Sequence, residues 1–376
     1  MPGLLPNVDP DGLLEYSVVF SDRALNHMSQ AFQQVMRDVS ATLRRVYAAR
    51  SVAIVPGSGT FAMEAIARQF ASARRCLVLR NGWFSYRWSQ IFEMGSIPAE
   101  TRVLKARRTG DGATAPFAPV PIAEAVAAIE SMRPDLVFAP HVETASGIIL
   151  PDGYVRQLAS AAHRAGAMFV LDCIASGALW VDMRDLGVDV LVSAPQKGWS
   201  SSAGFGIVML GERAREAIDA TTSTSFACDL KKWLAMMEAY EQGGHAYHAT
   251  MPTDALARLG RAIADTEAFG FERAKRAQQE LGERVRRVTV DRGMPSVAAA
   301  GFQAPTVVVS YTTDPGIQSG AKFAAAGLQT AAGVPLQCDE GAEFRTFRIG
   351  LFGLDKLENV ERTVATLDAA LARITR

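Results

Sequence analysis

The chain has 376 residues, with 39 basic side chains against 39 acidic ones, 49% hydrophobic and 21% charged residues. Balanced charge leaves no basic excess for phosphate backbones or anionic lipid, which sets nucleic-acid and membrane partners aside. The length exceeds one small core, so two domains are expected, and no apolar run approaches the roughly 18 residues of a membrane span.

The first residues, "MPGLLPNVDPDGLLEY", carry Asp and Pro where a secretion signal has a basic stretch followed by an apolar one. Cys76, Cys173, Cys228 and Cys338 lie far apart with no CxxC, and reduced thiols in a cytoplasmic protein are expected. From Ser51 onward, Val/Ile/Leu/Phe-rich runs alternate with longer amphipathic ones. "SVAIVP" precedes "TFAMEAIARQFAS", "CLVLRNG" precedes "FSYRWSQIFEMG", and "DLVFAPH" precedes "PDGYVRQLASAAHRAG", which leads into "AMFVLDC". Strand–helix alternation of this kind predicts an α/β domain with a mostly parallel sheet buried on both faces.

Near Pro252 the texture changes. "TDALARLGRAIADTEAFGFERAKRAQQELGERVRRV" reads as long, charged amphipathic helix. "TVVVSY", a helix from about Gln318, the alternating strand "EFRTFRIG" and a last helix "KLENVERTVATLDAALARI" follow. The organisation expected is an arm over residues 1–20, a large α/β domain over 21–252 and a smaller α+β domain over 253–376.

Three stretches offer chemistry. In "PGSGTFAMEA" a strand end meets a helix start through Ser58, Gly59 and Thr60, an arrangement that exposes backbone N–H groups to an anion or makes an ordinary capped turn. Asp172 ends the strand of "AMFVLDC", as a sheet-end ion-pair partner or as a buried acid holding a proton on a ligand nitrogen. Lys197 in "SAPQKGW" also follows a strand, as a snorkelling surface lysine or as an amine desolvated enough to attack a carbonyl. Their order, anion turn then acid then lysine, is what a pyridoxal 5′-phosphate site requires. One group holds the phosphate, one keeps the pyridine nitrogen protonated and one forms the Schiff base.

With those residues assembled, the sequence resembles the fold-type I pyridoxal-phosphate enzymes, specifically the class V aminotransferases of the alanine–glyoxylate and serine–glyoxylate group. The resemblance runs from about Ser51 to the C-terminus and implies their mostly parallel large domain with a smaller α+β C-terminal domain. "GSGTFAMEA" is similar to the family's phosphate-binding turn, and "NGWFSYRW" to the segment whose aromatic, here Phe84, stacks on the cofactor ring. "HVETASGIILP" resembles a stretch in which Thr144 would approach the ring oxygen and the substrate. "LDCIASG" implies Asp172 for the ring nitrogen and Ile174 for the opposite ring face; "SAPQKGW" implies Gln196 near the phosphate and Lys197 as the Schiff-base lysine. "AYHATMP" implies that Tyr247 and Thr250 reach the phosphate of a neighbouring subunit, hence a homodimer with shared active sites. "FRIGLFG" places Arg348 where the family binds the substrate carboxylate, and strand alternation sends Arg345 to the other face as a solvated charge.

The activity implied is transfer of an amino group from a small amino acid to a 2-oxo acid such as glyoxylate or pyruvate, by a ping-pong mechanism. Relatives begin with a Gly-Pro-rich stretch lining the site; here "DGLLEYSVVFSDRALNHMS" stands instead, with Glu15, Tyr16 and Ser17 as candidates for the pocket or as a structural arm. A lyase of the cysteine desulfurase kind is a rival, with Cys338 as the sulfur carrier, but Gln196 stands where such enzymes have His. Cys338 also reads as a packed residue. A 2-aminoethylphosphonate transaminase stays open. A non-catalytic cofactor binder has no need of both Asp172 and Arg348. The five histidines (His27, His141, His163, His245 and His248) show no ligand spacing beyond His245/His248, for which packing is expected.

Overall fold

A computed structural model describes residues 13–375, so the arm expected over 1–20 falls within it only from Leu13 onward. Seven strands form one central sheet: β1 (Ser51–Pro56), β2 (Arg75–Arg80), β3 (Glu100–Lys105), β4 (Leu136–Pro140), β5 (Met168–Asp172), β6 (Val190–Ser193) and β7 (Phe205–Leu210). Their spatial order is β1-β7-β6-β5-β4-β2-β3. Neighbours from β6 to β3 pair in parallel, and β7 runs antiparallel to both β6 and β1. Strand β1 therefore points the same way as the parallel set. Every residue of β4, β6 and β7 is buried, so both faces of the sheet are covered, as continuous apolar strands require.

Helices α1 (Gln30–Val46), α2 (Gly59–Phe70), α3 (Trp83–Gly95), α4 (Asp152–Arg164) and α5 (Leu230–Glu241) contribute to the core of this sheet. The long helix expected after Pro252 is two: α6 (Thr253–Phe269) and α7 (Phe271–Asp291). Gly270 between them sits at φ +97°, a conformation that ends one helix and re-aims the next. The break divides the packing. Leu256, Leu259 and Ile263 of α6 join the core of the large sheet, whereas Leu281 and Val285 of α7 join a second core with Phe323 and Phe347.

That second core lies under a three-stranded antiparallel sheet of β8 (Val307–Tyr311), β9 (Ala331–Ala332) and β10 (Thr346–Gly350), with β10 in the middle. The last helix is likewise split at Asn359, whose side chain accepts from the Arg362 N–H at 2.9 Å and caps α8 (Val360–Ile374). A third apolar cluster, including Ala145, Ile148, Val309, Tyr311 and Cys338, packs against Trp83 and Phe84. No helix among the described residues is long and apolar enough to cross a membrane.

Candidate active site

Six strands point the same way, and five of them, β1, β2, β4, β5 and β6, release their chains toward one site at the end of the sheet, the place where ligands collect in such folds. There the chain encloses a cavity of about 180 Å³ lined by Ser58, Gly59, Thr60, Phe84, Thr144, Asp172, Ile174, Gln196 and Lys197, together with Met63, Arg87, Val142 and Ala175. The first nine are sequence candidates. Arg87 is not among them, because its place on α3 facing the cavity is a matter of tertiary packing.

Helix α2 starts against the sheet because two glycines leave room. A Cβ on Gly59 would meet Ile174 Cδ1 at 2.7 Å, and one on Gly206 in β7 would meet Ala62 Cβ at 2.3 Å and the Ser58 carbonyl at 2.8 Å. Ser58 stands at the N-cap in extended conformation and makes no side-chain capping bond. The helix's first N–H groups thus remain for an anion at the cavity wall.

The turn after β6 fixes Lys197. Gly198 presses on the Gly177 turn, where an added Cβ would lie 2.1 Å from the Gly177 carbonyl oxygen. Trp199 is fully buried beside Tyr47, Trp180 and Phe271. The Ser200 N–H donates to the Lys197 carbonyl at 3.1 Å, and the Ser200 hydroxyl accepts from the Leu354 N–H at 2.6 Å. A short segment locked at both ends presents the amine to the cavity. Burial lowers the Lys197 pKa first, repulsion from Arg348 lowers it further, and Asp172 opposes the shift.

Asp172 is 6% exposed and accepts from the Ile174 N–H at 2.9 Å. Burial pushes its carboxyl up to about 7 and nearby Glu143 adds to this, while the Ile174 bond, Arg87 and Lys197 pull the other way. A carboxyl poised near neutrality in a dry site is a functional candidate.

Glu143, inside "HVETASGIILP", is a further residue of the site that its sequence position does not single out. It is 0% exposed and accepts from the N–H groups of Phe84 (3.2 Å), Ser85 (2.9 Å) and Ala145 (3.0 Å) and from the Ser85 hydroxyl (2.7 Å). Its carboxylate thus ties the start of α3, which carries Phe84, to the segment that carries Thr144. Gly82 makes room for it, since a Cβ there would lie 2.7 Å from Glu143 Cγ. Glu143→Ala is expected to destabilise the protein by about 3 kcal/mol by orphaning buried donors. Urea denaturation measures this, and a loss below about 0.5 kcal/mol would show that water replaces the carboxylate.

Arg348, half-buried on β10, does not line the cavity itself; its guanidinium carbon stands 5.6 Å from the ring centroid of Phe84, which does. Its Nε donates to the Ala332 carbonyl at 2.8 Å. Arg345 is exposed. Tyr247 and Thr250 do not line the cavity; they are exposed and hydrogen-bonded to each other at 3.2 Å. Glu15, Tyr16 and Ser17 do not line it either. Glu15 accepts from the Ser17 N–H and from Asn26 Nδ2, both at 2.7 Å, and Tyr16 is 88% exposed. Cys338 is buried, its thiol pushed up to about 12 chiefly by desolvation, and it donates to the Arg80 carbonyl at 3.4 Å. His248 and its Nε2 pair with the Phe226 carbonyl at 2.9 Å.

The family model described as Aminotransferase class-V matches residues 13–288. The chain belongs to the class-V aminotransferases. This aminotransferase is a pyridoxal-phosphate-dependent transaminase of the fold-type I architecture. It is 29% identical over 362 residues to a 2-aminoethylphosphonate–pyruvate transaminase of Paraburkholderia phymatum, covering 94% of this chain and 90% of that one. It is 24% identical over 371 residues to the alanine–glyoxylate aminotransferase of Rattus norvegicus, covering 93% and 82%. Among solved structures, an alanine–glyoxylate aminotransferase of Nostoc sp. aligns with a TM-score of 0.78 at 22% identity, covering 93% of this chain and 89% of that one.

The aminotransferase's own residues fit the cofactor. A helix start left uncapped by Ser58 supplies N–H groups for a phosphate, Phe84 and Ile174 supply apolar walls, and Asp172 and Lys197 supply a buried acid and a desolvated amine in the same cavity.

Proposed function

We propose that this transaminase passes the amino group of a small amino acid to a 2-oxo acid such as glyoxylate or pyruvate, in two alternating half-reactions. In the same reading it is a cytoplasmic homodimer with shared active sites. The observation that carries the reading is the meeting of a desolvated amine and a buried acid, Lys197 and Asp172, in one cavity, with Arg348 beside its Phe84 wall. When bound, pyridoxal 5′-phosphate supplies an electron sink for the charge left on the donor's α-carbon. Asp172 holds a proton at the ring nitrogen. Lys197 Nζ would take the α-proton of the donor and deliver it to the carbon on the far side of the amino nitrogen, as general base and then general acid. Arg348 grips the substrate carboxylate through two parallel N–H donors and so fixes which α-bond faces Lys197. Phe84 and Ile174 would supply apolar walls for the ring, and Thr144 would supply a hydroxyl to it. Ser58, Gly59, Thr60 and Gln196 would hold the phosphate.

Tyr247 and Thr250 serve the phosphate site of the partner subunit in this reading. Support comes from their place outside their own chain's cavity, Tyr247 being 55% exposed, and from neighbouring Phe226, 78% exposed on the same surface. The division of the chain at residues 252 and 253 belongs to the same proposal, with α6 linking the two parts. Four buried free cysteines accord with a reducing compartment. A desulfurase needs a reactive thiol, and Cys338, packed and held protonated, lacks that character.

A relative named for 2-aminoethylphosphonate favours a second donor class, one with phosphonate in place of the α-carboxylate. Single-turnover spectroscopy against a panel of amino acids, 2-aminoethylphosphonate and 2-oxo acids tests both. Bleaching of the holoenzyme by an amino acid, with recovery on glyoxylate or pyruvate, is the expected result; sulfide release from cysteine would overturn it. Arg348→Gln is expected to raise KM for the carboxylate substrates about 10²-fold with kcat less affected. Steady-state kinetics on both substrates measures this, and an unchanged KM removes Arg348 from the carboxylate site.

A further inference from the structure

In the cofactor reading above, the phosphate meets only neutral groups: Ser58, Gly59, Thr60 and Gln196 in its own chain. A phosphate monoester carries about −1.5 to −2 charges near pH 7, and a helix N-terminus offsets only about half a charge. A partly enclosed cavity screens that imbalance less than bulk water does. Lys197 and Arg348 already face the reacting carbon and the substrate.

Arg87 is the remaining cation on the cavity wall. It lies one turn into α3, and its Nη1 donates to Thr60 Oγ1 at 3.0 Å, at the start of α2. Its guanidinium carbon is 5.3 Å from the Phe84 ring centroid, so the planar group is held between an aromatic and the anion-binding turn. Among the described residues it pairs with no carboxylate within salt-bridge distance. With one of five N–H donors spent on Thr60, it keeps donors for a phosphate oxygen.

We propose that Arg87 is the counter-charge of the cofactor phosphate, held in place by Thr60. The inference rests on the pyridoxal phosphate reading of this cavity and adds to it a specific cationic partner. The same anion-binding group would suit a second acidic group on a substrate, and the test separates the two.

Apoenzyme is titrated by calorimetry with pyridoxal 5′-phosphate and with pyridoxal, which lacks the phosphate. The wild type is expected to bind the phosphorylated form far more tightly. Arg87→Met is expected to raise Kd for pyridoxal phosphate about 10²-fold and leave Kd for pyridoxal within about twofold, with Arg87→Lys recovering part of the loss. The ratio of the two constants on one preparation is independent of the folded fraction, and Arg87→Gln supplies a second variant. If Arg87→Met keeps the wild-type discrimination, Arg87 is not the phosphate's partner. Equal weakening of both ligands also overturns the proposal, as does an unmoved pyridoxal phosphate affinity with a raised KM for a dicarboxylic 2-oxo acid, which assigns Arg87 to substrate. A wild type that binds neither ligand overturns the cofactor reading and this proposal together.

Discussion

Lys197→Ala is expected to lose transamination by at least about 10⁴-fold while keeping its fold, because one amine has two tasks. In the proposed reaction it attacks a carbonyl to hold the cofactor, and it shuttles the substrate's α-proton. The environment suits both. Desolvation, aided by Arg348, lowers the lysine's pKa and raises the fraction of free base near neutral pH. The anchored turn from Gly198 to Trp199 limits where the amine can go. Lys197→Arg keeps the positive charge but presents a guanidinium that stays protonated, so it is expected to be as inactive as the alanine variant. Borohydride reduction of the holoenzyme followed by peptide mapping should find the pyridoxyl mass on the Lys197 peptide. A tag on another lysine would refute the assignment.

Asp172→Asn is expected to lower kcat about 10²- to 10³-fold, the cost of removing one member of a buried charge pair with the ring nitrogen. The same change should stabilise the cofactor-free protein at alkaline pH. The Asp172 carboxyl is raised to about 7 in the folded chain, against about 3.9 for an exposed carboxyl. Between those values the native state binds the extra proton, so this group's contribution to stability falls as pH rises from about 4 to 7 and is flat above. The full swing is on the order of 4 kcal/mol. His141, held down to about 4 by burial and hydrogen-bonded to Ser176 at 2.7 Å, acts in the opposite sense over about pH 4 to 6.5. The wild-type profile therefore mixes two slopes of opposite sign. The difference between Asp172→Asn and wild-type apoprotein isolates the first, and it should grow in favour of the variant from pH 5 to 8 in denaturant midpoints. A flat difference would mean that Asp172 is already ionised or solvated. A residue whose removal stabilises the empty chain and disables the loaded one is kept for chemistry.

Much of this architecture was legible as sequence because the buried strands are short, apolar and punctuated. "SVAIVP", "DLVFAPH" and "GFGIVML" each lie over a strand of the central sheet. Strand β3, "ETRVLK", escapes the pattern because it lies at the sheet's edge, where Glu100, Thr101 and Arg102 are all exposed and charge is tolerated. The break at Gly270 was hidden for a different reason. Both flanking helices keep the same amphipathic period, and only their destinations, two separate cores, distinguish them.

The kinds of group at the site and their order along the chain are properties of the sequence by itself: a Gly/Ser turn before a helix, an acid ending a strand, a lysine after the next. Those signals are local, since each depends on residues a few positions apart. What only the tertiary structure decided is which of them share a cavity and which unannounced residues join them. Arg87 and Glu143 sit at ordinary positions in their segments, and their partners, Thr60 and Phe84, stand 27 and 59 residues away at the starts of helices α2 and α3. Parallel strands must cross over before they pair, so neighbours at the sheet's end are far apart in the chain, and no short-range pattern records them.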